Sequence, residues 1–237
     1  MSQITTLTFY RYKGLSSKLW AFGMMQFAHA GLKRVPGLQV YKLMGSGKKG
    51  FDPRPDWSVY ALLQIWDSED AADHFFETSP LVRRYGTHST EMWRLYLKNI
   101  QAHGEWDGNH PFTPSLEMDG NNPLIAVITR ATIKRNHLRR FWAYVPTSQR
   151  PLLNAKGLLF TKGIGEVPFM QMATFSLWEN KAALMAYAYD SPEHKKAIKK
   201  TRELSWYKEE LFSRFQPYRS HGTWFGKYPL AGYLPQK

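Results

Sequence analysis

The sequence predicts an α+β protein made of two copies of one βαββαβ unit, packed face to face as a pseudo-two-fold barrel within a single chain. Three observations predict it. Short blocks recur in the same order: Leu19-Trp20-Ala21-Phe22 returns as Phe141-Trp142-Ala143-Tyr144, Pro36–Gly45 as Lys156–Gly165, Leu63–Asp67 as Phe175–Glu179, Ser79-Pro80 as Ser191-Pro192, and His103-Gly104-Glu105-Trp106 as His221-Gly222-Thr223-Trp224. Ordered self-similarity of this kind marks internal repetition. Each copy also alternates strand-like and helix-like patterns in one and the same sequence of elements. Finally, a single βαββαβ sheet carries helices on one face only, so its other face needs cover, and a second copy supplies it.

The elements follow in order. Residues 4–12 and 124–132 are rich in Thr, Ile, Val and aromatics and read as strands. Helices follow over 16–34 and 137–150, the first opened by Ser16 or Ser17. Strands near 38–44 and 157–163 each run into a glycine-containing turn, and third strands cover 57–66 and 171–178. A short helix then opens at Ser68 or Asn180. A longer one has Ser79 or Ser191 as N-cap and a proline at its first position. Last strands end at Trp106 and Trp224. This is the order of a ferredoxin-like unit. It divides the chain into repeats at 1–107 and 123–237, joined by a linker at 108–122 rich in Asn, Pro and Gly.

Composition narrows the function. Of 237 residues, 43% are apolar and 22% charged, which excludes a disordered chain. No apolar run has the ~20 residues of a membrane-spanning helix, and Met-Ser-Gln-Ile-Thr-Thr reads as no secretory leader. Cysteine is absent, so disulfides, Fe–S clusters, Cys-rich zinc sites and thiolate-ligated haem are excluded. A cytoplasmic protein is expected, with peripheral contact at the inner membrane surface. Aromatics reach 15%, with nine Trp, which suits a large flat or apolar ligand or an interfacial surface. Residues 1–120 hold 13 Lys and Arg against 12 Asp and Glu; residues 121–237 hold 19 against 7. The second half therefore calls for an anionic partner: nucleic acid, a membrane face or an acidic cofactor.

Candidate chemistry centres on histidine. His103-Gly104-Glu105 with His110 superficially resembles a two-His-one-carboxylate iron site, with ligands from one strand end and a loop. His194 is better placed. It falls on the helical stripe His194, Ala197, Ile198, Thr201, Leu204, Ser205, with lysines mostly on the other faces. The matching first-half residue is Val82, so only one half could bind a metal here. The alternative is a histidine hydrogen-bonded to backbone at a helix start. A flat apolar group with two carboxylates, haem b, fits an aromatic interior and a basic half, and His is then the natural axial ligand for its iron. Arg130 and Lys162, on predicted strands of the basic half, are the candidate polar groups beside such a cofactor. Gly45–Gly50 and Gly163–Pro168 lack the spacing of phosphate or dinucleotide loops and read as turns.

Several of these strings also carry a resemblance. Leu19–Met24, Pro36-Gly37-Leu38, Lys42–Gly47, Gly50-Phe51-Asp52-Pro53 and Val59-Tyr60-Ala61, with Lys162–Pro168, Thr174–Trp178 and a helix at Trp206–Leu211, make the chain similar to the spheroidene monooxygenase family over about residues 7–226. The string Gly163-Ile164-Gly165-Glu166-Val167-Pro168 is the most distinctive. The resemblance implies a haem enzyme that uses O2 and reduced ferredoxin to introduce keto groups at C2 of acyclic carotenoids. It also implies the dimeric α/β-barrel fold, in which some members hold haem through a helix-borne His of the C-terminal half, a role His194 would take. A carotenoid dissolves in membrane, so docking of the basic second half on an anionic leaflet is expected. Two other readings stand beside it. One is another haem-binding or cofactor-free enzyme of the same barrel acting on an apolar substrate. The other is a tandem RNA-binding module, which shares the βαββαβ order but whose third-strand aromatic motif is missing here, so no nucleic-acid partner is expected.

Overall fold

The structure, a computed structural model, describes residues 2–48, 52, 54–143, 152, 154–190 and 204–234. Eight strands form a closed barrel: β1 (Ile4–Arg11), β2 (Leu38–Gly47), β3 (Pro55–Trp66), β4 (Glu91–Gly104), β5 (Ile125–Ile133), β6 (Leu158–Val167), β7 (Gln171–Trp178) and β8 (Tyr207–Gly222). Around the wall they run β1-β3-β2-β6-β7-β5-β8-β4, with β4 returning to β1, and every pairing is antiparallel. Helices lie outside: α1 (Leu15–Leu32), α2 (Glu69–Thr78), α3 (Pro80–His88), α4, described over 138–143, and α5 (Lys181–Asp190).

Registers repeat between the halves. Ile4 pairs with Trp66 as Ile125 pairs with Trp178, and Tyr10 with Tyr60 as Ala131 with Met172. Both second strands shift register at the same two places, Leu38/Val40 and Gly45/Gly47 in β2, Leu158/Phe160 and Gly165/Val167 in β6. The inner faces share one core: Leu7, Phe9, Leu63, Trp93 and Leu95 of the first half meet Ile128, Phe175, Leu177, Leu211 and Phe215 of the second. Side chains alternate across a strand, so the remaining residues face the helices. There Trp66 donates its indole N–H to Thr6 Oγ1 at 2.9 Å, and Trp178 donates to Ser176 Oγ at 3.0 Å.

The helix starts at Ser68, Ser79 and Asn180 follow the sequence, whereas α1 begins at Leu15 with Gly14 as N-cap and no side-chain cap, so Ser16 and Ser17 lie inside it and do not open it. Ser68 Oγ accepts the Ala71 N–H at 3.2 Å, Ser79 Oγ accepts that of Leu81 at 3.2 Å with Pro80 next, and Asn180 Oδ1 accepts that of Ala183 at 2.8 Å. Each such cap contributes about 1 kcal/mol. The linker after Trp106 is irregular but not detached: Phe112 enters the barrel core and Ser115 N–H donates to the Asn99 carbonyl at 2.8 Å.

Three further expectations are corrected. The helix expected to be the longer of its pair, α3, has nine residues against ten in α2. Trp206–Leu211 is not helical: Ser205 takes φ 45 and β8 begins at Tyr207, placing Glu209 and Leu211 inward in alternation. Within the two glycine-rich strings, Gly45–Gly47 and Gly163–Val167 are strand, not turn. They form the β2–β6 joint, where Gly45 pairs with Gly165 and Ser46 with Ile164. None of Gly45, Gly47 and Gly165 needs a positive φ. What Gly165 needs is room, because a Cβ there would stand 2.6 Å from the Gln171 carbonyl oxygen.

Candidate active site

The barrel interior has two unlike regions. In one, Phe9 packs against Phe160, Phe175, Trp93 and Trp224 with ring centroids 5.3–5.9 Å apart. The other is ionic. Arg130, on β5 where β1 has Phe9, is 1% exposed and faces inward to Glu209 of β8 and to Asp107, whose Oδ1 lies 3.0 Å from Nη2. Lys42 of β2 pairs with Asp107 and, at 3.3 Å, with Glu166 of β6. The Trp106 indole N–H donates to Glu166 Oε2 at 2.7 Å. Lys162, at the β6 position that Lys42 holds in β2, pairs with Asp56 Oδ2 at 2.8 Å.

Two of these carboxylates, Glu209 and Asp56, are held charged. Burial pushes the Glu209 carboxyl up, but the Gly108 N–H, at 2.7 Å, and the Arg130 guanidinium outweigh it and keep the group below its ordinary value. Burial likewise opposes, and the Lys162 ammonium and Ser58 outweigh, at Asp56. The charged interior is thus a set of closed ion pairs that lock the hairpin after β4 onto β5, β6 and β8.

The outer face of the second-half sheet is different. Thr129 of β5 pairs with Thr174 of β7 and Phe212 of β8, and Thr174 pairs with Gly163 of β6. The same row in the first half is Leu43, Leu62, Thr8 and Arg94, all buried. Ala131 and Thr161 stand where the first half has Tyr10 and Tyr41. Small side chains therefore form a bed where the first half is filled by large ones. Thr129 is exposed although β5 is a central strand, and Phe212 is 38% exposed. The bed separates two apolar clusters: Ile125, Val127, Leu152, Trp178 and Leu184 on one side, Ile133, Phe141, Met172 and Trp206 on the other. The outer face of the first half carries one continuous cluster. At the edge of the bed, Arg214 bonds the Gln101 side chain and, among the described residues, has no carboxylate partner.

The bed is apolar-rimmed, and among the described residues Arg214 at its edge has no carboxylate partner. These residues fit a planar apolar group with an acidic substituent, as haem is. His194 lies outside the described residues; α5, which precedes it in the chain, packs on this face through Leu184, with Tyr187 stacked on Trp178 at 5.3 Å. Arg130 and Lys162 point the other way, into the barrel, so the structure does not bring them to the bed. His110 lies 3.9 Å from Glu105, but His103 bonds Gln101, and the described residues hold no cluster of three metal-ligating side chains. Sequence reasoning missed Glu166, Glu209 and Arg214. Glu209 was legible as the repeat of Glu91, which accepts the Gly226 N–H at 2.5 Å just as Glu209 accepts that of Gly108.

Comparison with known proteins is consistent with this geometry. No protein-family model matches the chain. Among solved structures, an aldoxime dehydratase superposes with TM-score 0.63 at 11% identity, covering 91% of this chain and 81% of that one. A second, crystallised with butyraldoxime, gives 0.60 at 9% identity, covering 91% and 79%. These likenesses establish the barrel fold. In sequence, the chain is 36% identical over 231 residues to spheroidene monooxygenase of Rhodobacter capsulatus, covering 96% of this chain and 95% of the relative. It is also 36% identical to that of Cereibacter sphaeroides, covering 97% and 71%, and 33% identical to that of Rubrivivax gelatinosus, covering 90% and 81%. Across so much of both lengths, identity at this level makes the chain a monooxygenase and a member of the spheroidene monooxygenase family.

Proposed function

We propose that the chain introduces a keto group at C2 of an acyclic carotenoid of the spheroidene type, using O2, a reduced ferredoxin-type electron donor and haem b. The observation that carries this reading is the 36% identity spanning 95% of a protein named spheroidene monooxygenase. Two hydroxylations at one carbon, each consuming one O2, two electrons and two protons and releasing one water, give a gem-diol that loses water to the ketone. Haem iron, when bound, would supply the activation of O2.

The chain's own residues have distinct tasks in this reading. His194 is assigned as the iron ligand. Gly163, Thr174 and Thr129 leave space on the sheet, and Arg214 would meet a carboxylate of the cofactor. Arg130 and Lys162 are neighbours in sequence of Thr129 and Gly163. Their ion pairs hold β5 and β6 from inside the barrel and so position the bed from behind. The same reading takes 1–107 and 123–237 as copies of one ferredoxin-like unit joined by 108–122, an interpretation supported by the equal registers. One copy then retained a filled face and the other specialised.

The test is the absorption spectrum of protein expressed with a haem precursor, with His194→Ala in parallel. A Soret band that survives purification and is lost in the variant, together with ketone formation from spheroidene carrying oxygen from isotopically labelled O2, is the expected result. Ketone formed at the full rate by His194→Ala would instead favour a cofactor-free enzyme on this barrel.

A further inference from the structure

α1 lies on the first-half sheet through Ala21, Met24, Ala28 and Leu32. Its opposite face carries Leu15, Leu19, Phe22, Gln26 and Ala30, at i, i+4, i+7, i+11 and i+15, all exposed. Leu15 is 74% exposed, Leu19 60% and Phe22 55%, and the adjoining Phe27 is 72% exposed. Trp57 of β3, half exposed, meets the Phe22 ring edge-on at 5.2 Å. A helix facing water ordinarily places its charges on this face; here the stripe has none. Five large apolar side chains in one place exceed the scatter of single exposed hydrophobics on a soluble surface.

Cations frame the patch. Lys13 precedes the helix, Lys33 and Arg34 follow it, and all three are exposed. Residues 1–51 contain eight Lys and Arg and no Asp or Glu. The charge count by halves, which directs attention to residues 121–237, averages over this acid-free segment and hides it.

We propose that the outward face of α1, with Trp57, seats the protein on the surface of an anionic lipid bilayer. No described helix is long and apolar enough to cross a membrane, and the seat lies along the outside of α1. α1 spans about 27 Å at 1.5 Å per residue. Lying flat, it sinks its uncharged stripe into the acyl boundary, keeps Trp57 at headgroup depth and sets Lys13, Lys33 and Arg34 among anionic headgroups. Charge complementarity selects this occupant. A second copy would oppose cations to cations, and an acidic protein surface would leave the apolar stripe without a match. A cleft of about 620 Å³ between α1 and β2 shares Phe22 and Phe27 with the patch and runs in to Tyr41 and Glu166. The seat deepens the polyene reading, because a membrane-dissolved substrate has to be met at the bilayer, but docking itself does not depend on turnover.

The test is co-sedimentation of the full chain with phosphatidylcholine vesicles, with and without phosphatidylglycerol. The variants are Leu19→Ser/Phe22→Ser/Phe27→Ser, Phe27→Ser alone, and Lys13→Ala/Lys33→Ala/Arg34→Ala. Circular dichroism checks the fold of each, and sedimentation velocity gives the oligomeric state. Wild type should sediment with anionic vesicles; the apolar triple variant should bind at least tenfold less, the single variant should lie between, and the cation variant should lose its preference for phosphatidylglycerol. Wild type left in the supernatant with both vesicle types, or a folded triple variant that binds like wild type, overturns the seat. So does a wild-type dimer that the triple variant converts to monomer, which would give the face to a second copy. Ketone formation on detergent-dispersed substrate is read separately, so loss of docking and loss of the carotenoid reading are distinguishable.

Discussion

Glu209 of the last strand accepts the backbone N–H of Gly108 at 2.7 Å while its other oxygen meets Arg130. A single side chain of the second half thus fastens the hairpin that ends the first half, and it does so beside a guanidinium that water does not reach. Removing one partner of a buried pair leaves the other charge uncompensated, which costs about 3 kcal/mol. Glu209→Ala should therefore lower the unfolding free energy by about that amount, read by urea denaturation, and Arg130→Met/Glu209→Met should recover part of it. A Glu209→Ala protein as stable as wild type would mean that Asp107 alone satisfies Arg130.

Acid should unfold the protein through the same groups. Glu209 and Glu91 have native carboxyls below their ordinary 4.5, burial being outweighed by backbone N–H donors and an arginine in each case. The unfolded chain then binds more protons than the native one in this range. Their contribution is full above about pH 4.5 and is lost as pH falls through the depressed native values. Thermal melts between pH 7 and pH 3 should show the fall, and Glu91→Gln/Glu209→Gln should flatten it while lowering stability at neutral pH.

Gly165 tests the joint between the halves. Its strand meets β2 in only the pairs Gly45–Gly165 and Ser46–Ile164. An added methyl at Gly165 would stand 2.6 Å from a backbone oxygen, which cannot rotate away as a side chain could. Because that oxygen belongs to Gln171 of β7, Gly165→Ala should cost about 2 kcal/mol and raise amide exchange in β6 and β7, and in β2 at the joint, before the rest of the barrel. Gly45→Ala, where a Cβ meets nothing within 4 Å, is the control.

The fold was legible because repetition and periodicity are local. The five recurring blocks, the caps at Ser68, Ser79 and Asn180, and the alternation in β1 and β5 each announce an element within a few residues. Trp206–Leu211 failed for the same reason: its acidic and aromatic residues suit a helix, and only pairing with β5 decides for strand. The glycine strings were visible but misassigned, since pairing of Gly45 with Gly165, a strand partner more than a hundred residues away, decides for strand over turn. The site was legible in part. Arg130 and Lys162 could be placed on strands, but which face they take depends on register across the barrel, and one residue of register reverses it. The bed was hidden altogether, because it consists of what Gly163 and Thr174 lack relative to Leu43 and Leu62, which leaves Thr129 exposed where its counterpart Thr8 is buried.

That comparison gives the sharpest test of the bed. Thr174→Leu installs the residue that the first half carries at the paired position, Leu62, and Thr174 is only partly buried, so the larger side chain has room without strain. Stability should stay within about 1 kcal/mol of wild type or rise, as filling a partly open apolar surface adds burial. Cofactor uptake should fall at least tenfold, read as the hemin concentration needed for half of the Soret absorbance. Ser176→Thr, one row away on the same strand, enlarges the face by a methyl outside the central row and should change uptake little. If Thr174→Leu binds hemin as wild type does, the bed is a packing surface for the neighbouring segments and the cofactor belongs elsewhere. If it instead loses its fold, the row is already filled, and the exposure of Thr129 has another cause.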